Sequence, residues 1–209
     1  MSVFDEMLAH NEKYAERFDL GHLQTPPVRK LVILTCMDSR MDLEQLLGLR
    51  VGDAHMIRNA GGLATDDAVR SLILSTHLLG TRSIAVIQHT ECGLMSITEE
   101  GFQRQLSTST GQDASHLEFH AFRDLDHNVR QQVARVERDP FLPKEIEVRG
   151  FVYDVRRGSQ REVEPQKPLS ETNWQRPRSP STTTDRLKLK AILRSATPKD
   201  SRSVWPEGP

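Results

Sequence analysis

Leu31–Thr35 (LVILT) and Ser83–Gln88 (SIAVIQ) are short, near-continuous apolar runs. Each ends on chemistry: Cys36-Met37-Asp38-Ser39-Arg40 follows the first, and His89-Thr90-Glu91-Cys92 follows the second. Runs of this length with few polar residues read as parallel strands buried on both faces. Ala54–Ile57 (AHMI) is a weaker strand. Between it and SIAVIQ, Asp66–Leu79 sets Val69, Leu72, Ile73 and Leu79 on one helical face, with Asp66 as the candidate cap and Gly80 as the stop. Asp42–Leu47 reads as a short helix closed by Gly48. Phe122, Leu125, Val129, Val133 and Val136 recur at three- and four-residue steps, which predicts a long amphipathic helix ending before Pro140. Ile146–Val155 alternates and reads as a last strand or hairpin before Arg156-Arg157-Gly158. Strands alternating with helices imply an α/β domain, a mostly parallel β-sheet flanked by helices.

The rest of the chain bounds that domain. With 209 residues, 27% charged and 36% hydrophobic, it reads as one large globular domain or one domain with an appendage. No apolar run approaches the ~18–20 residues of a membrane span. The N-terminus, MSVFDEMLAH, lacks the basic start and apolar core of a secretory signal. The formal net charge of -1 conceals an asymmetry. Residues 166–209 carry nine basic and four acidic side chains, a net +5, which leaves residues 1–165 at -6. The same segment holds six of the 11 prolines, eleven Ser or Thr and both tryptophans, Trp174 and Trp205. That composition predicts a domain over 1–165 and a largely disordered basic tail over 166–209, in which only Asp185–Ala196 (DRLKLKAILRSA) reads as a short helix. The acidic domain is a poor nucleic-acid binder, whereas the tail can meet an acidic partner, nucleic acid or a membrane surface, or be a solvated extension.

Two cysteines make no disulfide scaffold and suit a reducing, cytoplasmic setting. Both follow a strand, and sites in open α/β sheets form beyond the carboxyl ends of strands where strand order reverses. If LVILT and SIAVIQ flank that point, Cys36, His89 and Cys92 converge. Two thiolates and an imidazole suit zinc, and three protein ligands leave a fourth position open. The plainer alternative is a pair of inert buried thiols, and His89-x-x-Cys92 alone is a weak pattern. An extended chain after Cys36 would put Cys36, Asp38 and Arg40 on one side, with Asp38 and Arg40 as a bidentate pair. Gly61 and Gly62 read equally as a tight turn or as pocket lining. Arg58 reads as an outer partner that supports the site or as an ordinary surface charge.

Cys36-Met37-Asp38-Ser39-Arg40, Arg58-Asn59-Ala60-Gly61-Gly62 and His89-Thr90-Glu91-Cys92-Gly93, in this order and spacing, resemble the β-class carbonic anhydrases. The likeness is to the short archaeal-like and mycobacterial branch. Arg149–Val155 (RGFVYDV) resembles that branch's final strand, so the resemblance spans roughly residues 3 to 165. It implies one zinc ion per subunit on Cys36, His89 and Cys92, acidifying a water that hydrates CO2 to bicarbonate. It implies that Asp38 accepts the hydrogen bond of that nucleophile while Arg40 fixes Asp38, and that Asp38 is a conditional fourth metal ligand. It also implies a homodimer or dimer of dimers, with an N-terminal helix at about Val3–Phe18 crossing to a second subunit. Carbonyl sulfide and carbon disulfide hydrolases look like the same branch, so either is the alternative activity. A non-catalytic zinc scaffold is the remaining reading. His10, His22, His55, His77, His116, His120 and His127 are candidates by type for exporting the proton.

Overall fold

A computed structural model describes residues 1–165 of the chain. The predicted tail disorder and the Asp185–Ala196 helix lie outside the described residues. In chain order the elements are α1 (Val3–Ala15), β1 (Leu31–Cys36), α2 (Leu43–Leu47), β2 (Ala54–Asn59), α3 (Asp66–His77), β3 (Ser83–His89), α4 (Glu99–Thr110), α5 (Leu125–Arg138), β4 (Glu147–Tyr153) and β5 (Gln160–Glu162). No helix among the described residues is long and apolar enough to cross a membrane.

The sheet runs β2-β1-β3-β4-β5, parallel except for the β4–β5 hairpin. β1 pairs with β2 on one side (Cys36 opposite Asn59) and with β3 on the other (Thr35 opposite Ile87). Strand order therefore reverses between β1 and β3, as the sequence requires for its cysteines to meet. Alternate residues of these strands fill two layers. Val32, Leu34, Ile84 and Val86 pack with Ala68, Val69 and Leu72 of α3 and Val136 of α5, while Ile33 and Ile87 pack with Met41, Leu43 and Leu49 near α2. Burial on both faces explains why LVILT and SIAVIQ show no polar alternation.

Local signals place most boundaries. Asp42 caps α2 through Gln45 N–H, and Gly48 ends it in the left-handed region. Two expectations need correction. The cap of α3 is Thr65, whose hydroxyl accepts from Ala68 N–H, and Asp66 is instead the first helical residue, where its charge suits the helix dipole. Phe122 lies ahead of α5, which starts at Leu125 because Asp124 accepts from His127 N–H. α4, which the apolar pattern does not announce, is bounded by Thr98 and by left-handed Gly111 and has no buried residue. α1 likewise buries none of its residues.

Candidate metal centre

β1 delivers Cys36 at its carboxyl end and the adjacent β3 delivers His89. Cys92 returns to them because the chain reverses through Glu91, held at a positive φ of 57°, before a short 3-10 turn at Gly93–Met95. All three side chains are buried, at 5% (Cys36), 1% (His89) and 4% (Cys92) exposure. One donor atom from each lies within 4.8 Å of the other two. His89 Nδ1 donates to the Thr90 carbonyl at 2.8 Å, which leaves Nε2 as the lone-pair nitrogen. Nε2 is buried and has no hydrogen-bond partner. Buried polar atoms are normally paired, so an orphaned imidazole nitrogen beside two sulfurs is the mark of a metal donor. The Cys36 thiol is pulled down to about 4, chiefly by the hydrogen bond from Cys92, while the Cys92 thiol is pushed up by the same contact and by burial. The pair readily presents a thiolate, the form that binds metal.

Asp38 and Arg40 pair as expected, by a different route. The chain does not stay extended after Cys36; it turns, because Asp38 Oδ1 accepts the Arg40 backbone N–H at 2.9 Å. That turn brings Arg40 Nε to Oδ1 at 3.0 Å and Nη2 to Oδ2 at 2.7 Å. The Arg40 guanidinium holds the Asp38 carboxyl well below the usual carboxylate range. Asp38 Oδ2 also stands 3.7 Å from His89 Nε2, at the edge of the donor cluster. The outer side of Arg40 faces Glu91, whose carbonyl it reaches at 3.4 Å and whose carboxylate lies at 3.5 Å. Glu91 in turn pairs with Arg156 beyond β4.

Gly61 and Gly62 form the tight turn after β2, both at positive φ (81° and 63°). Gly62 lies against the ligand strand itself: a Cβ there would sit 2.9 Å from the Cys36 backbone nitrogen. Behind the turn runs a chain of amides, buried at Gln88 and Asn128 and half-buried at Gln132, that sequence reading missed. Gln88 Nε2 donates to the Gly61 carbonyl at 3.0 Å, and Asn128 Nδ2 donates to Gln88 Oε1 at 3.2 Å. Gln132 Nε2 donates to Asn128 Oδ1 at 2.9 Å, and Ala64 N–H donates to Gln132 Oε1 at 2.9 Å. The candidate proton carriers are dispersed. His55 is tied to Ser75 Oγ and the Thr25 carbonyl, and His77 to the Phe141 carbonyl.

A carbonic anhydrase family model matches residues 31–160. The chain belongs to the β-class carbonic anhydrase family. It is 42% identical over 165 residues to beta-carbonic anhydrase 1 of Mycobacterium tuberculosis, covering 79% of this chain and 100% of that one. A carbon disulfide hydrolase of Saccharolobus solfataricus is 35% identical over 175 residues, 72% of this chain and 84% of that one. Among solved structures, a carbonic anhydrase from Streptococcus mutans superposes with a TM-score of 0.76 at 41% identity, covering 78% of this chain and 99% of that one. The matched region takes in Cys36, His89 and Cys92 together with Asp38 and Arg40.

Proposed function

We propose that the chain is a zinc-dependent carbonic anhydrase that reversibly hydrates CO2 to bicarbonate and a proton, with residues 1–165 as the catalytic domain. The carrying observation is the buried, orphaned Nε2 of His89 among the sulfurs of Cys36 and Cys92, with the Asp38–Arg40 pair at its edge. Cys36 Sγ, His89 Nε2 and Cys92 Sγ hold the metal, a soft donor set that favours zinc over hard cations. Zinc supplies a Lewis acid there, lowering the pKa of a water towards neutrality for attack on carbon.

Every other part of the mechanism belongs to side chains. Asp38, kept ionised by Arg40, can only accept a hydrogen bond. At Oδ2 it would accept a hydrogen bond, not the proton itself, from the attacking water and so turn the oxygen lone pair toward CO2. Arg40 fixes the carboxylate in that orientation, and with both oxygens engaged by Arg40 the fourth-ligand role of Asp38 requires that pair to break. Burial of the three donors keeps bulk water from competing for them. The donors need reduced thiols, which fits a cytoplasmic setting.

A homo-oligomer is part of the same reading. α1 leaves Phe4, Met7, Leu8 and Tyr14 exposed. One sheet face carries a groove of about 270 Å³ lined by Leu31, Ile33, Ala85, Ile87 and Phe151. Apolar surfaces of this kind are covered by a second copy in a dimer or dimer of dimers, and sedimentation equilibrium decides it.

The test is zinc stoichiometry with stopped-flow CO2 hydration, run beside sulfide release from carbonyl sulfide and carbon disulfide. One zinc per subunit with dominant CO2 turnover is the expected result. The relative from Saccharolobus solfataricus favours carbon disulfide as the second reading, and dominant sulfide release would replace the first.

A further inference from the structure

Arg58 lies near the end of β2, beside the strand that ends in Cys36. Its guanidinium does not face a carboxylate: among the described residues no acidic group lies within salt-bridge distance of it. It is spent on main-chain oxygens. Nε donates to the Cys36 carbonyl at 3.0 Å, Nη2 to the Asp38 carbonyl at 2.6 Å and Nη1 to the Met41 carbonyl at 3.3 Å. These three carbonyls span the irregular segment that leaves the metal-donor strand and carries Asp38.

We propose that Arg58 is a positioning residue whose guanidinium sets the main-chain path from Cys36 to Met41 and thereby places the Asp38 carboxylate against the donor cluster. This rests on the functional reading above. Besides the Arg40 contacts, which tie the Asp38 carboxylate to its own turn and to Glu91, the segment's main chain has two fastenings: Met37 N–H reaches the Asn59 carbonyl and Met41 N–H the Asp38 carbonyl, at 2.9 and 3.2 Å. Neither fixes where the Asp38 carbonyl points relative to Cys36. A planar fork with donors in three directions can hold three converging carbonyls at once, whereas the ammonium of a lysine cannot span them from one point. Misplacing a catalytic group by about 1 Å costs on the order of 10²-fold in rate. Loss of an outer-shell partner commonly costs 10- to 100-fold in metal affinity or activity.

The test compares zinc-loaded wild-type protein with R58K and R58A at equal metal occupancy, reading kcat and KM for CO2 hydration and the rate of zinc release to a colorimetric chelator. R58K keeps charge and stem, so it is expected to stay folded with a wild-type melting temperature. Its kcat should nevertheless fall at least tenfold with KM changed less than about threefold, and its zinc should leave faster. R58A should fall further, toward 10²-fold. If R58K matches wild type in both kcat and zinc release, charge alone suffices and the clamp is wrong. If R58A does not fold, R58K decides alone. If wild-type protein binds zinc but does not hydrate CO2, the functional reading fails, and the zinc-release comparison still judges the clamp.

Discussion

Replacing Gly62 with alanine separates backbone strain from a clash with the metal-donor strand. Gly62 has φ 63°, and its missing Cβ would lie 2.9 Å from Cys36 N and from the Thr35 carbonyl carbon. Both neighbours are main-chain atoms in the middle of the sheet, so neither can swing aside. Gly48 supplies the control, because it has φ 62° and nothing within 4 Å of its would-be Cβ. A left-handed L-residue costs roughly 1–2 kcal/mol, reduced by about 0.4–1 kcal/mol because alanine also restricts the unfolded chain. Gly48→Ala should therefore cost about 0–1.6 kcal/mol. Gly62→Ala carries the same strain plus an overpacking cost of about 1–3 kcal/mol, so it should exceed the control by that amount. Urea unfolding at saturating zinc and one fixed protein concentration measures both, since bound metal and subunit association each add to apparent stability. The clash presses on Cys36, so Gly62→Ala should also speed zinc release while Gly48→Ala leaves it unchanged. Equal destabilisation of the two variants, with wild-type zinc release in both, would refute the assignment of Gly62 as a contact to the donor strand.

Cys36→Ser should lose zinc and CO2 hydration together, and full zinc occupancy in that variant by metal analysis would remove Cys36 from the donor set. Asp38→Asn should keep zinc but lose about 10²–10³-fold in kcat, because an amide cannot be relied on to accept where a carboxylate must; stopped-flow rates at matched occupancy check it. Asn128→Ala should cost about 1–3 kcal/mol in urea unfolding, since it strands the buried Gln88 Oε1, whereas the half-buried Gln132 Nε2 can turn to water. Glu99 accepts the backbone N–H groups of Ala121, Phe119 and His120, which lower its pKa. A depressed folded-state pKa adds stability above the unfolded value and loses it as pH falls through the folded one. Glu99→Gln should therefore be about 1 kcal/mol less stable at neutral pH, with the deficit closing below about pH 4.5 in pH-dependent unfolding.

What the sequence disclosed follows how local each interaction is. LVILT and SIAVIQ announce themselves because central parallel strands are buried on both faces, and their terminal cysteine and histidine are then placed by topology alone. α4 escapes because it buries no residue and has only Phe102 and Leu106 as apolar side chains within Glu99–Thr110. Its caps, Thr98 and Gly111, and the acidic first turn Glu99-Glu100 are its local signals. β5 is three polar, exposed residues, which carry no pattern at all. The amide chain from Gln88 to Ala64 joins residues far apart in sequence, and buried Gln and Asn give no period that distinguishes them from surface ones. Arg58 belongs to the same class: nothing in Arg58-Asn59-Ala60-Gly61-Gly62 says that its guanidinium meets three carbonyls of another segment.

The split between legible and hidden residues also divides the labour at the site. The proposed donors Cys36, His89 and Cys92 need only two strand ends and one reversal to meet, so short motifs suffice to specify them. Their orientation is a tertiary property. The loop after β1 is held by Arg58 from β2, the turn after β2 is held by Gln88 from β3, and Gln88 is held by Asn128 from α5. Each strand end at the point of reversal is thus braced by a neighbouring element. The role proposed for the Asp38 carboxylate, meeting a nucleophile within a fraction of an ångström, needs such bracing, because the loop that bears it has no ladder of its own. Substitutions in the bracing residues should therefore lower turnover in protein that still carries zinc, as substitutions of the donors themselves cannot.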